Sequence, residues 1–179
     1  MTQPASRYAL PEYERRFLLD AVPADADQAL RITDRFIIDT RLRLRTVTDP
    51  ATGEVLQHKV GHKVRPDPGD PTAMLHTSLY LDPAEVDVLA MLDAVEVTKT
   101  RRRWSHDGHA VAVDTYTGRL AGLVLAELNF ADHTSLVDYK PSPPLGAEVT
   151  NIAELTGPNL ASLTPERLAA HLNTLRHRP

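Results

Sequence analysis

The chain has 179 residues, enough for one domain with a sizeable core and short for two, so residues 1–179 are read as a single domain. Its 42% hydrophobic and 25% charged content is ordinary for a globular protein, and a net charge of −4 argues against a binder of duplex nucleic acid. No apolar run is long enough to span a membrane, the opening MTQPASRYALPEYERR lacks the apolar centre of a secretory leader, and the absence of cysteine excludes disulfides, thiolate metal sites and a Cys nucleophile. A cytoplasmic monomer or homodimer with no membrane partner is the expectation.

Period-2 alternation predicts a first strand over 9–19, followed by a short helix from Asp25 to Leu30. Strands over 31–38 and 41–48 come next, then a turn at Asp49-Pro50-Ala51-Thr52-Gly53 and a fourth strand over 55–64. The Pro-rich run Arg65 to Pro71 is a loop, and a fifth strand follows over 73–81. Asp82-Pro83-Ala84-Glu85 opens a helix with an N-cap, a proline in the first turn and a capping-box glutamate. Val86, Leu89, Ala90 and Leu92 give that helix an apolar stripe. Strands over 95–104 and 110–116 flank His106-Asp107-Gly108-His109, whose Asp-Gly pair suits a tight hairpin. An eighth strand covers 123–130, Pro141 to Gly146 is a loop, and a last helix opens at Thr164-Pro165-Glu166 with Leu168, Leu172 and Leu175 on one side.

Successive strand side chains point to opposite faces, so residues of one parity share a face. Glu12, Glu14 and Arg16 share one in the first strand, and Arg41, Arg43 and Arg45 in the third. Lys59 aligns with Lys63, and Lys99 with Arg101 and Arg103; Asp114 and Glu127 carry the acids of the last two strands. Nine bases therefore face four acids in a protein of negative net charge. Like charges on neighbouring strands destabilise a sheet unless something neutralises them, and a bound polyanion with a divalent cation would do so. A barrel lets this many strands turn a charged face to one lumen, its apolar outer faces covered by the two helices. The fold class is thus mainly β (α+β), a closed barrel with a few flanking helices.

At these residues the sequence resembles the CYTH, or triphosphate tunnel metalloenzyme, superfamily. The resemblance runs through Glu12-Tyr13-Glu14-Arg15-Arg16, close to the family's Glu-x-Glu-x-Lys strand, and Thr40-Arg41-Leu42-Arg43-Leu44-Arg45. It continues through Lys59, Lys99-Thr100-Arg101-Arg102-Arg103, Val113-Asp114-Thr115-Tyr116, Gly122 to Glu127 and Glu148-Val149-Thr150. It implies a closed antiparallel tunnel of about eight strands that binds a small triphosphate or polyphosphate with Mg²⁺ or Mn²⁺. By that resemblance Glu12, Glu14, Asp114 and Glu127 hold the metal. Arg43, Arg45, Lys59, Lys63, Lys99, Arg101 and Arg103 grip the phosphates. Glu12, Glu14, Arg16 and Glu127 form the catalytic set.

Three departures stand out: Arg16 replaces the signature Lys, Asn129 stands where a second carboxylate is frequent, and the fifth strand carries His76, Ser78 and Tyr80 in place of acids. The implied activity is metal-dependent hydrolysis of inorganic, thiamine or nucleoside triphosphate. The alternatives are a class IV-type adenylate cyclase and a non-catalytic polyphosphate-binding module. His58 and His62 read as outer-surface residues and His106 and His109 as solvated, while Trp104 and Tyr80 are expected under helices. His76 is read as structural, although the resemblance sets it near the metal positions. No GxxxxGK loop is present, which excludes a P-loop protein.

Overall fold

The strands form where the alternation places them, and they close on themselves. The computed structural model describes residues 7–176; residues 1–6, part of the stretch tested for a leader, and 177–179 lie outside. The strands are β1 (Leu10–Leu18), β2 (Asp27–Ile37), β3 (Leu42–Thr48), β4 (Val55–Val64), β5 (Ala73–Tyr80), β6 (Ala94–His106), β7 (His109–Tyr116) and β8 (Val124–Phe130). They make one closed barrel in the order β1-β5-β4-β3-β2-β6-β7-β8, with every neighbouring pair antiparallel. Both foreseen turns are present: Asp107 and Gly108 take φ of 49° and 77°, and Gly53 takes 75° beside its N–H bond to the Asp49 carbonyl. The helix expected from Asp25 to Leu30 does not form. Asp27 already pairs with Arg103 across β6, so strand pairing overrides the local helical pattern there.

Among the described residues four helices accompany the barrel: α1 (Pro83–Ala90), α2 (His133–Asp138), α3 (Gly157–Ala161) and α4 (Pro165–Arg176). α1 starts as its residues dictate, with the Asp82 carboxylate accepting from the Glu85 N–H and the Glu85 carboxylate from the Asp82 N–H. It buries none of its residues, however, and so does not cover the barrel wall as expected. Cover comes from elsewhere. Phe17, Trp104, Val111, Val113, Ala126 and Leu128 on the outer faces of β1, β6, β7 and β8 pack beneath Leu136 of α2 and Tyr139.

Trp104 is accordingly buried, whereas Tyr80 is 71% exposed and lies under no helix. His106 is buried rather than solvated, stacked on Trp104 with ring centroids 4.4 Å apart.

Inside the barrel, charge gives way to apolar residues toward one end. Two residues on from Arg16, Lys99, Asp114 and Glu127 the inward positions are Leu18, Val97, Tyr116 and Leu125, and these pack with Leu155, Leu160, Leu168, Leu172 and Leu175. α3, α4 and the turn Ala153–Leu155 thereby plug part of that end. Among the described residues no helix is long and apolar enough to cross a membrane.

Candidate functional site

The lumen holds a cavity of about 710 Å³ to which all eight strands contribute side chains. Its lining includes nine bases (Arg16, Arg41, Arg43, Arg45, Lys59, Lys63, Arg65, Lys99, Arg101) and five carboxylates (Glu12, Glu14, Asp34, Asp39, Glu127). Parity thus gathers most of the residues expected to act together. Two it does not bring there. Arg103 is exposed, one inward position beyond Arg101 and away from the cavity. Asp114 faces inward but is fully buried beneath Lys99 and Arg101, which take its oxygens. His58 and His62 stay outside the lining, as read.

The cavity floor is a layered ion network. Arg101 donates through Nε and Nη2 to the two oxygens of Asp114 at 2.7 and 2.6 Å, and through Nη2 to Glu127 as well. One strand pair away, Arg45 grips Asp34 through Nε and Nη2 at 2.6 and 2.7 Å. Asp34 was not among the residues singled out from the sequence. The only signal for it was its inward parity on a mixed strand; the cross-strand register that sets it opposite Arg45 is tertiary information. Burial raises the Asp34 carboxyl, but the Arg45 hydrogen bonds and charge, helped by Arg43, outweigh it and hold the pKa at about 2.

Asp34 must serve more than one base. Arg43 Nε stands 3.4 Å from Asp34 Oδ1, yet it is buried without a hydrogen-bond partner. Lys59, opposite Arg45 across β3 and β4, makes no ion pair among the described residues. Burial and then the charges of Arg45 and Arg43 press Lys59 below the ordinary lysine range, and burial and Arg45 do the same to Arg43. Arg43, Arg45 and Lys59 are therefore three cations around one carboxylate, which is an anion site by charge count.

The carboxylates show the opposite frustration. Burial and the neighbouring charge of Glu127 push Glu14 above the usual glutamate range. Glu127 is itself raised by burial but driven lower overall by Arg101, Lys99 and Arg16. Glu12 is differently placed: its Oε2 meets Lys63 Nζ at 2.6 Å and its Oε1 meets His76 Nδ1 at 2.5 Å. Burial raises it, but those two partners outweigh burial and hold it at about 2.

Among the described residues no three His, Cys, Asp or Glu side chains are grouped to hold a metal, so the four expected ligands do not converge on one point. A Mg²⁺-like ion needs less, since it is commonly held by one or two carboxylates with water and substrate phosphate oxygens. The mutually repelling Glu14 and Glu127 fit that requirement.

Arg16 has a second occupation. It lies 3.4 Å from Glu14 and donates to the Leu155 and Thr150 carbonyls at 2.6 and 3.2 Å, tying the C-terminal plug to β1. The planar fork makes both bonds at once, which a lysine ammonium at this position would not reproduce.

No family model matches the chain, and no curated protein does. Solved structures do. Two crystal structures of NE1496, described once as a hypothetical protein and once as an inorganic triphosphatase, superpose with a TM-score of 0.59 at 22% and 21% identity. Each match covers 86% of this chain and 99% or 96% of the other. The chain shares the fold of NE1496. A conserved hypothetical protein from Pyrococcus furiosus is similar over 92% of this chain and 90% of its own, at 12% identity and a TM-score of 0.49. At 21–22% identity the likeness to NE1496 concerns the fold alone.

Proposed function

We propose that the chain is a divalent-metal-dependent hydrolase of triphosphates. The observation that carries this reading is a surplus of bases and a pair of mutually repelling carboxylates in one cavity. Arg43, Arg45 and Lys59 share Asp34, and Glu14 and Glu127 repel each other in the same lumen. A triphosphate with a bound cation supplies the opposite charge to each. The name of the NE1496 inorganic triphosphatase agrees with it.

Arg43 and Lys59, the least compensated bases, hold the phosphate oxygens and offset the charge that develops on them during phosphoryl transfer. Lys99 and Arg101, fixed through Asp114, keep the floor rigid, and Arg101 sets the orientation of Glu127. Arg16 orients Glu14 from the plug side. Glu14 and Glu127 would hold Mg²⁺ or Mn²⁺, which would supply Lewis-acid polarisation of the phosphate oxygens.

The test is a panel of inorganic, thiamine and nucleoside triphosphates with Mg²⁺ or Mn²⁺, in which phosphate, pyrophosphate and cyclic nucleotide are all measured. Release of orthophosphate supports the proposal. Pyrophosphate with cyclic AMP would assign a cyclase instead, and tight binding without product would leave only a polyphosphate-binding module.

A further inference from the structure

The inward face of β5 carries His76 and Ser78, and neither is used in the hydrolytic reading above. Their geometry is that of a nucleophile with its base and orienting group. Ser78 Oγ lies 3.1 Å from His76 Nε2, and His76 Nδ1 lies 2.5 Å from Glu12 Oε1. With the Nδ1 proton directed at Glu12, Nε2 is the acceptor for the Ser78 hydroxyl proton. Glu12 is held in place from its other side by Lys63. Ser78 is exposed, so a reacting group can reach it.

The neighbouring strand lets a guanidinium approach the pair. Gly61 on β4 stands directly opposite Ser78 on one side and Arg43 on the other. A Cβ on Gly61 would lie 2.9 Å from His76 Nε2 and 3.4 Å from Arg43 Nη2. The missing side chain therefore lets the His76 ring and the Arg43 guanidinium close over β4 beside the exposed serine. The guanidinium favours a group that develops negative charge there.

We propose that Ser78 is a nucleophile that accepts the terminal phosphoryl group of a polyphosphate held by Arg43, with His76 as its base and Glu12 as the positioning carboxylate. The donor rests on the triphosphate reading; the relay does not. In the first step the Ser78 Oγ–P bond forms and the P–O bond to the leaving diphosphate breaks, while the hydroxyl proton passes to His76 Nε2 and on to the departing oxygen. In the second, water attacks phosphorus, its proton passes through His76, and the Oγ–P bond breaks to return the serine hydroxyl.

The full chain is mixed with inorganic tripolyphosphate in one arm and terminally labelled ATP in another, quenched rapidly, and its peptides are mapped. An acid-stable phosphate ester on Ser78 is expected, absent in Ser78→Ala and formed at least tenfold more slowly in His76→Gln. An acid-labile phosphate on His76 would overturn the assignment, as would wild-type turnover by Ser78→Ala with no covalent species. A fluorophosphonate ester, which needs no triphosphate site, forms the third arm. Stoichiometric labelling of Ser78, slowed at least tenfold by His76→Gln, supports the relay even if no triphosphate is hydrolysed. Absence of labelling beside normal hydrolysis overturns the relay and leaves the hydrolytic reading standing. Gly61→Ala, whose methyl group would press on the His76 ring, is expected to slow labelling without changing the far-ultraviolet circular dichroism.

Discussion

Asp34 is the side chain on which most of the cavity floor depends. Among the described residues it is the sole ion-pair partner of Arg45 and the nearest carboxylate to Arg43, and it is almost fully buried. Removing one member of a buried pair leaves the other charge uncompensated, at a cost of about 3–5 kcal/mol. Asp34→Asn is expected to lose that much in urea unfolding, and inorganic tripolyphosphate to restore more stability to the variant than to the wild type. The two carboxylates held near 2 set the acid limit. Glu12 and Asp34 have folded pKa values of about 2, against ordinary values of 4.5 and 3.8. The unfolded chain binds more protons in that interval, so stability is full above about 4.5 and falls as the pH drops toward 2.

Glu14 has the opposite sign. Its folded pKa is raised, so its contribution is present in acid and is lost as pH rises through that value. Glu14→Gln is therefore expected to raise the neutral-pH melting temperature in chelator, by roughly 2–4 °C per kcal/mol, and to abolish most of the Mn²⁺-induced shift. Parity made Glu14 and Arg43 legible, because a period of two is written in the chain itself. Asp34 and His76 were not, because their partners Arg45 and Glu12 lie on other strands and only register brings them together.

At the scale of elements, the plug is held by few bonds and these are testable. Arg16→Lys removes the two-pronged contact to the Thr150 and Leu155 carbonyls. A loss of ~1–3 kcal/mol is expected, with faster hydrogen exchange confined to residues 149–161. α1 makes the contrasting case. Its capping box was readable from Asp82 to Glu85, but its apolar stripe is not a packing face: Val86 and Leu89 are only half-buried, and Ala90 and Leu92 are exposed. Periodicity reports that a helix can form and says little about what it will lie against. Asp82→Ala is accordingly expected to fray α1 at a local cost of about 1 kcal/mol, visible in helix amide exchange, while the global urea midpoint stays put. α2 escaped notice because six residues are too few for a helical period to show.

Over the whole molecule the surplus of lumen bases sets how the protein responds to salt. Tripolyphosphate at a hundredfold excess over its dissociation constant is expected to stabilise by about 2.7 kcal/mol. That gain should shrink as sodium chloride is raised, and the dependence should be shallower in Arg43→Ala, which has one charge fewer to screen. Calorimetric titration across a salt series measures both. Closure of the barrel has a separate consequence for how the chain reaches this state. β1 is the strand that completes the ring, joined to β8 by six residue pairs and to β5 by four. Without it the other strands form one open sheet whose edges are β5 and β8. The first of the barrel strands to leave the ribosome must therefore wait until Phe130 has emerged before both its sides are paired. During that wait two bare edges are available to any other extended chain, so crowding during synthesis, more than heat, is the hazard this architecture carries.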